Sequence, residues 1–150
     1  MVSINDIITA VNKLIVEKYP DDTVYINLLP KDFERPSFFI ELINLERTDA
    51  NRCTVEMNVD LSITCYVEVD GHYNSDTEQL IERLDNVLDI FACGYIAVGD
   101  RCLEVQTERG DIDFTESYVG IQLNYFDDRP VPGEEMPLIE EVKTNLSQEE

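Results

Sequence analysis

The side chains that most often carry chemistry are sparse in this sequence. His72 is the only histidine, which excludes a histidine-rich metal site. It stands in a polar turn at residues 70–74, where we expect it to face solvent. Asp70-x-His72 and Asp111-x-Asp113 resemble fragments of metal-binding loops, but the rest of a calcium-loop pattern is missing. Because carboxylates are dense, a weak site for Mg²⁺ or Ca²⁺ stays an alternative; the sequence itself predicts no metal and no cofactor.

The four cysteines stand at positions 53, 65, 93 and 102, without a CxxC pair. Cys53 and Cys65 fall on one predicted strand, which at about 3.3 Å per residue places them roughly 40 Å apart, far beyond disulfide reach. We therefore expect free thiols in a reducing compartment. Cys93 precedes Gly94 at a predicted helix C-terminus, where the helix dipole disfavours a thiolate, so we expect an inert, partly buried side chain. GxSxG and glycine-rich phosphate-loop motifs are absent, and the sequence predicts no enzyme.

The excess of acidic over basic residues excludes some classes of binding partner. The chain of 150 residues carries 32 acidic and 11 basic residues, a formal net charge of −21. Binding to a nucleic-acid backbone needs clustered Lys and Arg, and attraction to an anionic membrane needs them too. Here the basic residues are scattered singly, so neither sequence-specific nucleic-acid binding nor membrane binding is predicted. No stretch approaches the roughly 20 apolar residues of a membrane span, and the N-terminus lacks signal-peptide features, so we expect it to be part of the fold.

Two amphipathic helices are predicted. The first begins at Ser3, a capping residue, and ends before Pro20. The second begins at a capping box formed by Ser75 and Glu78, and Gly94 is placed to end it in a left-handed conformation. The apolar faces are Ile4, Ile7, Ile8, Val11, Leu14 and Ile15 in the first helix and Leu80, Ile81, Leu84, Val87, Leu88 and Phe91 in the second.

Six strands are predicted, and the longest gives the clearest signal. Between residues 53 and 69 every odd position is apolar and every even position is polar or Tyr66, which indicates one buried and one wet face. A strand of this length either projects beyond its sheet or bends at a bulge. Turns are expected at Gly99-Asp100 and at residues 109–111. The other predicted strands are residues 23–29, 37–46, 103–107, 112–115 and 118–126.

These elements follow the order α-β-β-β-α-β-β-β. The order predicts an α+β domain in which one antiparallel or mixed sheet is packed with two helices, spanning residues 1–126. Residues 127–150 contain several prolines and mostly acidic charges, and we expect an acidic tail that is extended or disordered. Four apolar residues in this tail are placed to form a short adhesive patch: Met136, Leu138, Ile139 and Val142.

Candidate contact residues lie in loops and turns. The loop at residues 30–36 is expected to expose Lys31, Phe33 and Arg35, an aromatic side chain flanked by basic ones; the alternative is that Phe33 folds back onto the core. Four arginines near predicted turns are placed to pair with acidic neighbours across subunit contacts: Arg47, Arg52, Arg101 and Arg109. The long strand is suited to pairing with a neighbouring subunit, or bends within its own domain.

Several sequence segments together are similar to one known family. They are Ser3-Ile4-Asn5-Asp6-Ile7-Ile8, Val24-Tyr25-Ile26-Asn27-Leu28-Leu29-Pro30, Phe33, Arg35-Pro36, Ser37-Phe38-Phe39-Ile40 and Glu82-Arg83-Leu84. With the long alternating strand and the acidic end, they resemble the bacteriophage tail terminator family of Gram-positive phages and prophage-derived contractile tails. The resemblance covers about residues 3–126 and rests on apolar positions and one Pro-x-x-Phe loop. The high acidity is a departure from it.

The resemblance implies an assembly role without catalytic residues. Such proteins form a six-membered ring on the last ring of the tail tube, stop its polymerisation and present a surface to the neck or head connector. The implied partners are further copies of the chain, the tail tube protein, the connector and the sheath protein. The implied location is the virion, assembled in the bacterial cytoplasm. Alternatives are another head–tail joining or tail-completion protein, an acidic adaptor that mimics nucleic acid and binds a basic protein, and a small enzyme or ligand-binding module.

Overall fold

The computed structural model describes residues 1–130 of the chain. Within them two helices and six strands follow the order predicted from the sequence, which confirms the α+β class. The elements are α1 (Ile4–Lys18), β1 (Thr23–Ile26), β2 (Ser37–Asp49), β3 (Thr54–Tyr66), α2 (Thr77–Ile90), β4 (Tyr95–Val98), β5 (Arg101–Ile112) and β6 (Glu116–Asp128).

One mixed sheet contains all six strands in the order β1-β2-β3-β6-β5-β4. β1 is parallel to β2, and every other neighbouring pair is antiparallel. The long strand β3 neither projects from the sheet nor bends, because β2, β3 and β6 each contain 13 residues and pair along their length. The irregularities lie in its neighbours instead, between Leu42 and Asn44 of β2 and between Thr107 and Arg109 of β5.

The core fills one face of this sheet. Odd-numbered residues of β3 from Val55 to Cys65 are at most 5% exposed, as the alternation predicts. Both helices pack on this face, α1 over β4 and α2 over β6 and β5. Burying one such side chain contributes about 1.5–3 kcal/mol, so the length of the buried stripe sets the stability of the domain. The fully buried helix residues are Ile7, Val11, Ile15, Leu80 and Val87.

The predicted helix ends are right for α1 and shifted for α2. Ser3 Oγ accepts a hydrogen bond from Asp6 N at 3.1 Å. The predicted cap of α2 is wrong by one residue, since Asp76 Oδ1 accepts from Glu78 N at 3.0 Å. Ser75 Oγ donates instead to the carbonyl of Thr115 at 3.3 Å, which ties the start of α2 to the sheet. Gly94 has φ +82° after the helix, the left-handed conformation expected of it.

Three of the strands differ from the prediction. β4 was not predicted, and the strand expected at residues 103–107 is part of the longer strand β5. Of the strand expected at residues 112–115 only Ile112 belongs to β5, because residues 113–115 form the β5–β6 turn. Gly110 was assigned to a turn, but it pairs with Val119 within β5. A Cβ on Gly110 would lie 3.1 Å from Cδ1 of Leu84, so the glycine allows α2 to approach the sheet closely. The turn at Gly99-Asp100 is confirmed, with φ +60° at Gly99.

The last strand, β6, ends beyond the domain boundary expected from the sequence. The strand runs to Asp128, two residues past the predicted end of the domain at residue 126, and Asp127 is only 4% exposed. Residues 127 and 128 are therefore part of the sheet. The patch expected at Met136, Leu138, Ile139 and Val142 lies outside the described residues.

Replacement of a residue at the centre of the buried stripe tests this account of the core. We expect Ile63→Ala to lower the free energy of unfolding by about 2–5 kcal/mol, because Ile63 is fully buried and the neighbouring strands cannot close the cavity. Ser62→Ala, the adjacent residue on the helix-free face, is the control and should change it by less than about 1 kcal/mol. Equal losses in urea denaturation of the two variants would contradict the assignment of faces.

Candidate interaction surfaces

The seven predicted contact residues do not form one cluster. The sheet has two ends, which we name by their contents. The loop end contains the segments at residues 27–36, 67–76 and 113–115, and the arginine end contains the β2–β3 turn, the β4–β5 turn and the end of β6. Lys31, Phe33 and Arg35 lie at the loop end, whereas Arg47, Arg52 and Arg101 lie at the arginine end, and Arg109 lies along β5.

At the loop end, Phe33 and Arg35 are structural contacts. The Phe33 ring packs 4.6 Å from the Tyr66 ring, centroid to centroid, so the folded-back alternative is the one found. The Arg35 guanidinium lies 4.9 Å over Phe33 and donates to the carbonyls of Val67 at 3.1 Å and Thr115 at 3.3 Å. The planar guanidinium satisfies two backbone acceptors where β3 and the β5–β6 turn end. The expected exposure of Phe33 and Arg35 is therefore wrong, and only Lys31 of the three is exposed.

At the arginine end, Arg101 is held by a buried carboxylate. Its Nη1 lies 3.0 Å from Asp127 Oδ1, and the Val2 amide donates to Asp127 Oδ2 at 2.8 Å. Burial alone would raise the pKa of Asp127, but the amides of Val2 and Asp128, the Arg101 guanidinium and the N-terminal ammonium together hold that pKa below its ordinary value. The network joins the N-terminus, β5 and β6, so Arg101 acts within the subunit.

Three further arginines lie at this end. Arg47 Nε is 3.4 Å from the Met57 sulfur, and Arg52 is an exposed residue of the β2–β3 turn. Arg129 binds Asp49 at 2.7 Å and the carbonyl of Asn51 at 3.0 Å. Arg129 was not predicted as a contact residue, because its position falls in the segment expected to be a tail. Four of the eleven basic residues of an acidic chain thus lie at one end of the sheet.

Arg109 occupies a different environment. Its Nη2 lies 3.2 Å from Asp111 Oδ2, and its side chain is 79% exposed. This exposed pair contributes at most about 1 kcal/mol to stability, so Arg109 stays available to a partner. It lies on the helix-free face of β5, paired with Gly120.

The loop end also carries an aromatic patch that the sequence did not predict. Phe114, at the tip of the β5–β6 turn, is 87% exposed, and Tyr73 is 78% exposed. With Asn74, Ser75, Thr77, Ile112 and Asp113, Phe114 lines a surface depression of about 460 Å³. Exposed aromatic residues beside a depression are typical of protein contacts. Phe114 was expected in the strand predicted at residues 112–115. The alternation of apolar and polar residues there does not reveal that Phe114 lies in a turn.

The helix-free face of the sheet is acidic. Its residues alternate with the buried ones, and Asn124 at its centre donates to Glu56 Oε1 at 2.8 Å and to Asn58 Oδ1 at 2.6 Å. The cross-strand register places eight carboxylates on this face: Glu41, Glu46, Glu56, Asp60, Glu104, Asp111, Glu116 and Asp128. A face with this charge repels other anionic surfaces within about 10 Å at 0.1 M salt.

The residues considered for chemistry are dispersed. All four cysteines are unpaired, and Cys93 is exposed where a partly buried side chain was expected. Burial raises the pKa of the Cys65 thiol to about 12, so it stays protonated at neutral pH. In residues 1–130 no group of three or more His, Cys, Asp or Glu side chains is arranged to hold a metal ion. No helix in this part of the chain is long and apolar enough to cross a membrane.

Comparison with known proteins identifies one family. A family model described as "Phage tail terminator protein" matches residues 6–135. The search of curated proteins returned no match. One solved structure aligns with 87% of this chain and 98% of its own, at 13% identity and a TM-score of 0.44, a level of similarity that carries no argument.

Replacement of the buried carboxylate tests the network at the arginine end. We expect Asp127→Asn to lower the free energy of unfolding at pH 7 by about 1.5–3 kcal/mol, since hydrogen bonds to a charged group are lost. Because the folded pKa of Asp127 is lowered, its contribution is present above the ordinary pKa of about 3.9 and is lost as the pH falls through the folded value. The difference from the wild type should therefore shrink in acid.

The matched control is Asp128→Asn, because Asp128 also faces Arg101, at 3.6 Å, but is 82% exposed. Urea denaturation should show a change below about 1 kcal/mol for this variant. A pH-independent loss in Asp127→Asn, or the same loss in both variants, would contradict the role assigned to the buried charge.

Proposed function

Because this chain belongs to the phage tail terminator family, and is accordingly a structural phage tail protein, we propose that it caps the tail tube as a ring and ends the polymerisation of the tube. The match carries the proposal, since it spans most of α1, all six strands and α2. The resemblance seen in the sequence extends the proposal to six subunits and to a contractile tail of a Gram-positive phage or prophage-derived particle.

The distribution of surfaces supports contacts with several partners. In a ring whose axis runs along the strands, the two ends of the sheet are the two flat sides. The arginine end and the aromatic patch of the loop end are chemically different, which suits a ring that meets the tail tube protein on one side and the neck or head connector on the other. The outer rim is then left to the sheath protein. Assembly takes place in the bacterial cytoplasm and the product is a virion component.

Lys31, Arg52 and Arg109 are proposed as contact residues on exposed surfaces. Lys31 projects from the loop end and Arg52 from the arginine end, so each is placed to meet a carboxylate of a protein stacked on the ring. Arg47 belongs to an exposed segment of β2, which the next subunit would cover. Phe33, Arg35 and Arg101 support these surfaces from within the subunit.

The charge of the helix-free face is suited to the lumen of such a ring. Capping must leave a path for DNA, and a wall of carboxylates does not bind the phosphate backbone. We place the face that carries Glu56 and Glu104 toward this path, with the helices outside.

Deletion of the gene tests the capping function. Without a cap, we expect tails whose tubes vary in length and exceed the normal length in electron micrographs, because tube polymerisation has no stop. Expression of the wild-type protein from a plasmid should restore one length. Tails of normal length that fail to join heads would instead indicate a head–tail joining protein, and unaltered, infectious particles would indicate an adaptor outside the virion.

Charge reversal on the helix-free face tests the lumen. We expect Glu56→Lys combined with Glu104→Lys to slow DNA ejection, because the phosphate backbone then meets cations. Glu78→Lys combined with Glu82→Lys, on α2, changes the net charge equally and should leave ejection unchanged. Tails of normal length in both variants would show that capping is intact. Equal ejection rates in the two variants and the wild type would contradict the placement of this face.

A further inference from the structure

The sheet has a step at each of its two lateral edges, because the outermost strand is shorter than the strand beside it. β1 pairs only with Ser37–Ile40, so residues 41–49 of β2 extend past it; we call them the β2 edge. β4 pairs only with Arg101–Glu104, so residues 106–112 of β5 extend past it; we call them the β5 edge. In the part of the chain that the structure describes, no strand pairs with the outer side of either edge. Leu42 N is bonded there to the Asn27 side chain, at 3.0 Å.

The short strand β4 lies at the level of the β2 edge. The register across the sheet joins Glu46 to Asn58, Asn58 to Asn124, Asn124 to Glu104 and Glu104 to Tyr95. Tyr95, at the start of β4, therefore stands at the same height along the strands as Glu46, although three strands separate them. The space beside residues 46–49 has the height and length of β4.

The step beside β5 lies at the height of β1, just as the step beside β2 lies at the height of β4. The register joins Ile26 to Ile40, Ile40 to Ile63, Ile63 to Val119 and Val119 to Gly110. The last residue of β1 thus stands at the height of Gly110 in the β5 edge. The two steps are complementary: each side of the sheet lacks a strand where the opposite side has one.

On this geometry we propose that neighbouring subunits of the ring join head to tail through the two edges. β4 of one subunit lies parallel to residues 46–49 of the next, and β1 of that next subunit lies antiparallel to residues 110–112 of the first. Rotation about an axis along the strands preserves strand direction, so both pairings follow from the order within one sheet. The inference rests on the proposed ring and names the surface that forms it.

The chemistry of the edges favours pairing. Edge strands of soluble proteins are usually protected by charged residues, and the β2 and β5 edges carry them: Glu41, Glu46, Arg47 and Asp49 in β2, and Glu108, Arg109 and Asp111 in β5. The strands proposed to pair with these edges, β1 (TVYI) and β4 (YIAV), contain none, in a chain where 29% of residues are charged. Of the twelve exposed large apolar side chains in the described residues, six lie on or beside these edges: Ile26, Leu28, Ile43, Leu45, Tyr95 and Ile112. Pairing would remove these side chains from water and would stabilise the contact by about 25 cal/mol per Å² of apolar surface buried.

The contact is also of a kind from which a ring can be built. Each subunit offers two different edges, so the interface is heterologous, and repetition gives a closed ring or an open filament rather than a two-fold dimer. Tilt and curvature of the sheet then decide the number of subunits at closure.

Cysteine cross-linking tests the pairing. Glu46→Cys and Tyr95→Cys are combined in a chain whose exposed cysteines Cys53, Cys93 and Cys102 are replaced by serine. Within one subunit the two sites are four strand spacings apart, roughly 19 Å, so no internal disulfide can form. Oxidation in the presence of the tail tube protein should give a ladder of covalent multimers up to the ring size on a non-reducing gel. Thr48→Cys combined with Ala97→Cys tests a second pair of sites, two residues further along the same strands and on the same face of the sheet.

Single-cysteine variants are the control and should give no species above a dimer. Native mass spectrometry and electron microscopy of the same samples report rings independently. Rings whose paired cysteines stay unlinked would overturn the edge pairing and leave the proposed function standing. Absence of rings both in solution and on tube ends would overturn the proposed function, and the pairing with it.

A matched pair of substitutions gives a second test. Leu45 is 45% exposed on the β2 edge, next to the segment 46–49 that β4 would pair with, and Ile81 is 52% exposed on α2. Leu45→Glu should reduce ring assembly at least tenfold, as a charge would be buried between subunits, while Ile81→Glu should leave assembly unchanged. Circular dichroism should show both variants folded, since each side chain is exposed in the monomer. Equal assembly of the two folded variants would contradict the proposal.

Discussion

Continuous pairing of β3 on both of its sides is the interaction on which the rest of the structure depends. Twelve of its thirteen residues pair with β2 and all thirteen pair with β6, and their alternation assigns one face of the whole sheet to the core. Both helices must cover that face, because a stripe of this length cannot stay in water. The long strands β2 and β5 then outreach the short outer strands β1 and β4. The stepped edges, and with them the proposed ring, follow from this difference in length.

Net charge is the second constraint, because it opposes any assembly of identical copies. A formal −21 on each subunit gives repulsion that salt screens only beyond about 10 Å at 0.1 M. Surfaces that bring copies together must therefore be low in carboxylates. β1 and β4 contain no charged residue, so in the proposed contact the carboxylates of the β2 and β5 edges meet uncharged strands rather than other carboxylates. The helix-free face does not meet this requirement and suits the proposed lumen. The carboxylate buried at the arginine end, Asp127, is compensated by Arg101 and backbone amides.

Much of the fold is predictable from the sequence, because local patterns determine it. The alternation from Val55 to Cys65 and the cap at Ser3 depend on neighbours in the chain alone. The four residues of β4 are too few to show a period, and Gly110 looks like a turn residue until Leu84 is seen beside it. Contact residues were harder to assign. Whether Arg35 projects or binds the carbonyls of Val67 and Thr115 depends on segments far apart in sequence.

The positions of the two steps along the strands depend on the pairing registers of four neighbouring strand pairs. No single stretch of sequence encodes all four registers. The long-range pairing that creates the proposed interface is thus visible only in the folded chain. It links the sequence feature that was clearest, the long alternating strand, to the assembly expected of the family.

Elongation of purified tail tubes tests most directly whether this protein caps the tube. Tubes are incubated with this protein, and labelled tube subunits are then added under polymerising conditions. We expect a ring at one tube end in electron micrographs and no labelled growth from that end. Labelled growth from both ends at the rate of untreated tubes, with the protein present in excess, would contradict it.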